Sequence, residues 1–383
     1  MTQAEESIRI STKWAASTAD RPLAVLGELS PTALTIVRNA AKELNVGLAQ
    51  VGRNGAASAV LDHERPLAVI ASVESGEFGR ACGLVRRRRA LANVPVIGAS
   101  VQRGDLSFAE LFQVGGDDLV NLEDANSLVR RIRALRGQKA APSSHATQAR
   151  VVIAGEELAL YARAFSNAGL EPQMASTVEE ALHLAKTARF VLASDELRPI
   201  GGAEALAQAR AAGSTTPWVL VAAPKRMTAA RSAVKDLSSV VVLDAFAPAE
   251  NALFLANELT RPSGLNARAS ARLLFGTSVV FRHAGREEGD DIGFTYNVSA
   301  KGIFVRTLAP LDPGDDVWME LWAPRSARRV RLSGRVVWKR TFGPDESATV
   351  PAGFAVRVDG GLPGDLERWS AGCAALQREQ STT

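Results

Sequence analysis

The sequence predicts a multidomain chain: two flavodoxin-like α/β domains with parallel sheets, then a six-stranded antiparallel β-barrel with a C-terminal helix. Three observations carry this. Residues 22–136 and 150–260 repeat one another. Their strand candidates are apolar throughout, as strands covered by helices on both faces must be. After residue 267 the helix–strand alternation stops and the strand candidates take a period of two, the mark of half-buried strands.

Residues 1–21 lack an apolar core and read as a tail. The first repeat opens with LAVLGE (23–28) and the second with VVIAGE (151–156), each followed by a helix-forming stretch. VIAS (69–72) matches VLAS (191–194), and the strands led by Pro95 and Pro217 keep the same 122-residue offset. A last strand and helix occupy 117–136 and 239–260. Short apolar strands alternating with helices imply βαβ units and a doubly wound sheet. GQKAAPSSHATQA (137–149) and RPSGLN (261–266) read as linkers, being small, polar and Pro-containing. The third segment, 267–383, offers strands at 273–282, 293–299, 302–308, 316–322, 328–340 and 353–358. In the fifth, Val330, Leu332, Val336 and Trp338 are expected inside, with Arg329, Arg331, Arg335 and Lys339 outside. A final helix at 365–379 would bury Leu366, Trp369, Cys373 and Leu376.

Composition excludes several classes. The 383 residues are 46% hydrophobic and 22% charged, which argues against disorder, and the formal net charge of +4 is too small to imply a nucleic-acid partner. The basic excess is arginine, since only eight residues are Lys. Cys82 and Cys373 stand far apart with no Cys/His cluster, so neither a disulfide framework nor a zinc site is expected, and a reducing cytoplasm fits. No apolar run approaches a membrane span. His63, His145, His183 and His283 are scattered, leaving no catalytic constellation, and Gly76, Gly79 and Gly83 do not make a dinucleotide fingerprint.

Both repeats resemble bacterial response-regulator receiver domains. Such domains use an acidic pair after the first strand for Mg²⁺, an Asp ending the third, a hydroxyl ending the fourth and a Lys ending the fifth. The carboxylates hold the metal, metal and Lys neutralise the acyl phosphate, and the hydroxyl relays the charge change. In the first repeat these positions hold Gly27 and Glu28, Ala71, Ser100 and Leu122, so only the hydroxyl matches. In the second they hold Gly155 and Glu156, Ala193 or Ser194, Ala222 and Asp244. Asp195, with Pro199 four residues later, keeps the spacing found after a phosphoacceptor, against the reading of a solvated turn or cap residue. The resemblance implies docking modules that do not accept phosphate; a regulator phosphorylated on Asp195 is the remote alternative. Arg86 to Arg89, and Arg130, Arg131, Arg133 and Arg136, are expected to be solvated or to meet an acidic protein partner.

The third segment resembles a PilZ domain over about 267–379. The resemblance rests on Arg268-Ala-Ser-Ala-Arg272 ahead of the first strand, then Asn297-Val-Ser299-Ala-Lys-Gly302, with GRVVW (334–338) and GFAVRV (353–358) beyond them. RxxxR alone recurs at Arg282/Arg286, Arg325/Arg329 and Arg331/Arg335, whereas NxSxxG occurs once. The resemblance implies that Arg268, Arg272, Asn297, Ser299 and Gly302 bind cyclic di-GMP. Guanidiniums suit phosphates and guanine faces, Asn297 and Ser299 a purine edge, and Gly302 a tight turn. Ala267 stands where many relatives carry a third Arg, which leaves open whether a nucleotide monomer or dimer is held. The seven basic residues between Arg325 and Arg340 are expected on the barrel exterior.

The expected function is that of a non-enzymatic, cytoplasmic signalling effector. It binds cyclic di-GMP and docks protein partners through its receiver-like domains, with motility or polarity among the processes so controlled. The alternative is an adaptor whose PilZ domain no longer binds nucleotide. A homodimer is compatible with either.

Overall fold

The computed structural model describes residues 21–52, 57–88, 91, 93–101, 111–137, 149–260, 271–285, 289–343 and 350–382. Two compact units result: one holds the first parallel sheet together with the barrel, the other holds the second parallel sheet.

In the first unit β1 (Leu23–Leu26), β2 (Leu48–Val51), β3 (Ala68–Ser72), β4 (Val96–Ser100) and β5 (Asp118–Asn121) form a parallel sheet in the order β2-β1-β3-β4-β5. Helices α1 (Pro31–Glu43), α2 (Ala57–Glu64), α3 (Glu77–Arg86) and α4 (Ala125–Arg136) connect and cover it. Strands β1, β3 and β4 are buried at every residue, which explains their unbroken apolar runs. Helix starts obey local chemistry. Ser30 accepts from the Ala33 N–H with Pro31 at the first turn, and Asp124 accepts from the Asn126 N–H.

The barrel uses β11 (Leu273–Leu274), β12 (Ser278–His283), β13 (Asp291–Ser299), β14 (Gly302–Arg306), β15 (Asp316–Trp322), β16 (Arg329–Arg340) and β17 (Gly353–Gly361). The ring β12-β15-β16-β17-β14-β13 closes through the β12–β13 and β13–β14 pairings, with β11 added along β13. Residues 273–282, expected as one strand, are two. Between them Thr295 Oγ1 donates to the Phe275 carbonyl at 2.6 Å and accepts from the Thr277 N–H at 2.9 Å, so a side chain replaces ladder bonds at the break.

The inward row of β16 also departs from simple alternation. Val330, Leu332 and Val336 are in the core, but the register shifts between Val336 and Trp338, and Trp338 emerges 42% exposed. A bulge of this kind inverts the facing of the residues beyond it. Gly334 is required nearby, because a Cβ there would fall 2.2 Å from the Arg357 carbonyl oxygen. Helix α10 (Asp365–Thr382) buries Trp369, Cys373 and Leu376 against the barrel as expected, while Leu366 is exposed instead.

The barrel and the first sheet share a desolvated interface. Arg131, fully buried, donates from Nε to Asp118 at 2.8 Å and from Nη1 to Asp291 of β13 at 2.7 Å; its Nη2 reaches the Ile292 carbonyl at 2.7 Å. Asp118 also accepts from the Leu308 N–H and the Thr307 hydroxyl, and Asp291 accepts from Ser127 and Arg130. Apolar contacts flank this network. Phe294 meets Phe112 edge-on at 5.0 Å, the Arg306 guanidinium lies 3.6 Å over the Phe112 ring, and Leu308 and Ala352 join the core under α1 and α4.

Arg131 and Arg130 are therefore not solvated, contrary to expectation. Arg86 is likewise spent internally, on the Gly115 and Val94 carbonyls and on Asp117 at 2.6 Å. Arg88 pairs with Asp62, Arg133 with Glu43, Arg136 donates to the Leu44 carbonyl, and Arg89 lies outside the described residues.

The second unit repeats the strand order. β6 (Arg150–Ala154), β7 (Glu171–Ala175), β8 (Phe190–Ser194), β9 (Trp218–Ala222) and β10 (Val240–Asp244) form a parallel sheet in the order β7-β6-β8-β9-β10. It carries α5 (Tyr161–Asn167), α6 (Val178–Ala185), α7 (Gly202–Ala211), α8 (Met227–Val234) and α9 (Ala249–Thr260).

Candidate functional site

Antiparallel register assembles the barrel site. β11 pairs Leu273 with Val298 and Leu274 with Asn297, so Arg272, the residue before β11, arrives at the Asn297–Ser299 end of β13. Arg268 lies outside the described residues. Val298 belongs to the barrel core. By strand alternation its neighbours Asn297 and Ser299 take the opposite, outer face.

Asn297 is 4% exposed, and its Nδ2 has no hydrogen-bond partner among the described residues. A buried donor left unpaired costs roughly 1–3 kcal/mol, a cost that an incoming hydrogen-bond acceptor would relieve. Ser299 is held from behind, its carbonyl accepting from Trp369 Nε1 of α10 at 3.1 Å, while its Oγ is 3.5 Å from the Gly302 carbonyl. Gly302 pairs with Ser299 across the turn and with Arg357 on β17. Its backbone is not left-handed, contrary to the expectation that the turn needs glycine flexibility; an added Cβ would stand 3.4 Å from the Val356 carbonyl oxygen, close to the site floor.

Two further features escaped the sequence. Phe304, paired with Asn297, has its ring centroid 6.1 Å from that of Tyr296 and 5.8 Å from that of Trp338; Phe304 and Tyr296 are buried, and Trp338 alone of the three is exposed. The bulge in β16 is what turns Trp338 outward, and period-two alternation cannot reveal it. Arg357 stands exposed beside Gly302 and forms no ion pair among the described residues. By contrast, the basic run from 325 to 340 is largely neutralised: Arg325 pairs with Glu379, Arg329 and Arg331 with Glu320, Arg335 with Asp316 and Lys339 with Asp312. The exterior placement expected for it holds for the rest of the run but not for Arg340, which lies beyond the bulge and is buried.

The receiver-like sites lack the groups that phosphotransfer needs. In the first, Ala71 is buried inside β3 and Leu122 packs in the core. In the second, Asp195 directly follows β8. It is neither solvated nor a helix cap: its carboxylate pairs with Arg226 Nε at 2.6 Å. Among the described residues no group of three or more His, Cys, Asp or Glu could hold a metal ion, and no helix is long and apolar enough to cross a membrane.

No curated protein matches the chain. Among solved structures, the inhibitor of motility MotI/DgrA of Bacillus subtilis is 17% identical over 32% of this chain, which spans 57% of that protein, with a TM-score of 0.25. A CheY-like protein (tadZ) from Pseudomonas aeruginosa is 19% identical over 31% of this chain and 97% of its own, TM-score 0.25. The C-terminus of E. coli RcsC, containing a phosphoreceiver domain, is 13% identical over 62% of this chain and 92% of its own, TM-score 0.26. The family model for the PilZ domain matches residues 266–370. The barrel is thus a PilZ domain, and the two parallel sheets before it have the receiver strand order.

Proposed function

We propose that this chain is a signalling effector whose PilZ domain binds cyclic di-GMP at the outer end of β13, through Arg268, Arg272, Asn297, Ser299 and Gly302. The observation that supports this most is the β11–β13 register, which delivers Arg272 to the buried, unpaired Asn297 amide. Arginine forks match phosphate oxygens, the Asn amide and Ser hydroxyl suit the polar edge of guanine, and the exposed Trp338 ring with Arg357 supplies stacking area and positive charge. None of this requires bond making, so the reading is one of recognition, with the two receiver-like domains as protein-docking modules.

Calorimetry with cyclic di-GMP tests it. Losing one charge-assisted contact costs about 1.5–3 kcal/mol, roughly tenfold to more than a hundredfold in affinity. Arg272→Ala and Ser299→Ala should weaken binding by that order without unfolding the barrel. Arg335→Ala, from the decoy Arg331/Arg335 pair and engaged with Asp316, should leave affinity unchanged. If wild type shows neither heat nor thermal shift at saturating nucleotide, the sensor reading fails. An adaptor reading then stands on the observation that the other end of β13 already serves as a protein-contact surface, for the first α/β domain.

A further inference from the structure

The carboxyl end of the first sheet holds an anion where a receiver would place its phosphoryl group. Ser100, 3% exposed, closes β4, and its Oγ donates to Glu74 Oε1 at 2.6 Å. The next backbone N–H, that of Val101, donates to the same oxygen at 2.9 Å. The other oxygen, Oε2, accepts from the hydroxyl of Ser72, the last residue of β3, at 3.0 Å. Three donors thus converge on one carboxylate that bridges the ends of β3 and β4. The Ser100 bond, a hydroxyl 2.6 Å from an ionised oxygen, belongs to the strong class. Burial pushes the Glu74 pKa up, but these bonds outweigh it and hold the group below its ordinary value.

The rest of the site is filled by the chain itself. Gly27, where the metal-holding pair would begin, has φ +78, and a Cβ there would fall 2.9 Å from the Glu77 side chain. The end of β3 carries Ala71 and Ser72, neither of which can form an acyl phosphate. Yet a fourth-strand hydroxyl and the N–H after it still point at an anionic oxygen, the demand an acyl phosphate would otherwise meet.

A short physical path leads from this anion to the barrel. The Ser100 carbonyl accepts from the Leu122 N–H at 2.8 Å. Val101 packs against the cluster that contains Leu122, Leu128 and Ile132 together with Leu308 and Ala352 of the barrel segment. On the strand that Leu122 follows, Asp118 receives the Leu308 N–H at 2.7 Å.

We propose that the Glu74 carboxylate is a permanent internal substitute for a phosphoryl group, holding the first α/β domain in its barrel-docked form without phosphorylation. This is independent of whether the barrel binds nucleotide.

Hydrogen-exchange mass spectrometry on the full chain tests it. Glu74→Gln keeps the size and removes the charge; Ser100→Ala removes only the relaying hydroxyl, so it serves if the first variant does not fold. Both should speed exchange at least tenfold in peptides covering 117–136 and 289–299. Peptides of β1 and β2 and of the second α/β domain should keep wild-type rates. Two results overturn the proposal. A rise confined to 72–76 and 100–101 makes Glu74 a local turn tie, and a uniform rise through the whole first domain makes it a general stabiliser.

Discussion

The two α/β domains share one strand order and differ at their last strand. In the first, Asp118, Leu119 and Val120 of β5 are buried, and α4 delivers Arg131 into the interface with the barrel. In the second, Val240, Val241 and Val242 of β10 are only half-buried, and α9 has no basic residue in its last turn. The fourth strands diverge in parallel: Ser100 engages Glu74, whereas Ala222 has no hydroxyl to engage. Duplicated scaffolds have thus been specialised by a few polar residues at one edge. The first is committed to an intramolecular contact, and the second keeps that edge less covered.

The largest effect should come from breaking that commitment. Arg131→Met leaves Asp118 and Asp291 buried without their shared cation, and removing one member of a buried ionic network typically costs about 3–5 kcal/mol. Urea unfolding of the full chain, combined with peptide-resolved exchange, should show the first unit destabilised by that amount and the second unit unmoved. A loss below about 1 kcal/mol, the value of a surface pair, would show that the interface is wet and the contrast between the domains superficial.

Acid should act on the same network with a sign that depends on which carboxylate is considered. Burial raises the pKa of Asp291, but the Arg131 and Arg130 guanidiniums more than offset this and hold it below the usual range. Its stabilisation is therefore complete above the unfolded value of about 3.9 and is lost as the pH falls through the lower folded value. Asp118 works the other way, since burial prevails over Arg131 and pushes it up, so its protonation favours the folded state as the pH drops. Asp291→Asn should flatten the acid loss of the first unit below about pH 4, and Asp118→Asn should steepen it. Equal profiles for the two variants would contradict the asymmetry.

Much of this architecture is legible in the sequence because it is written in periodicity. The unbroken apolar runs, the 122-residue offset and the switch to period two survive in any local environment. The features that were not legible depend on single departures from period or on distant partners. The bulge after Val336 turned Trp338 outward. Thr295 split one strand into two by reaching across to it. Arg131 reads as a surface arginine until Asp291, 160 residues away, is brought to it. The barrel motif was readable as a string, but the buried Asn297 Nδ2, unpartnered among the described residues, shows only once β11 and β13 are side by side. Glu74 carries no signal at all in the sequence, because its role is defined by two strand ends that meet only in the sheet.

The smallest effect concerns Asp195 and separates the two domains chemically. It directly follows β8, the place where a phosphoacceptor could stand, and its backbone N–H is fixed to the Val221 carbonyl at 2.9 Å. Its carboxylate is already engaged by Arg226, Ala222 cannot relay a charge change, and Asp244 puts an acid where a Lys would neutralise the acyl phosphate. Incubation with Mg²⁺ and a small phosphodonor should therefore add no phosphoryl mass to the intact chain. Arg226→Ala alone should change neither that result nor the melting temperature, since the guanidinium of this pair is half exposed. Restoring the hydroxyl and the Lys with Ala222→Thr and Asp244→Lys, with Glu156 left from the acidic pair, should allow incorporation that Asp195→Asn abolishes. Leu122→Lys in the first domain should not, because Ala71 and Ser72 offer no carboxylate to accept the group. An adduct on the wild-type chain that disappears in Asp195→Asn would make the second domain a working receiver, and the two domains would then differ in chemistry as well as in docking.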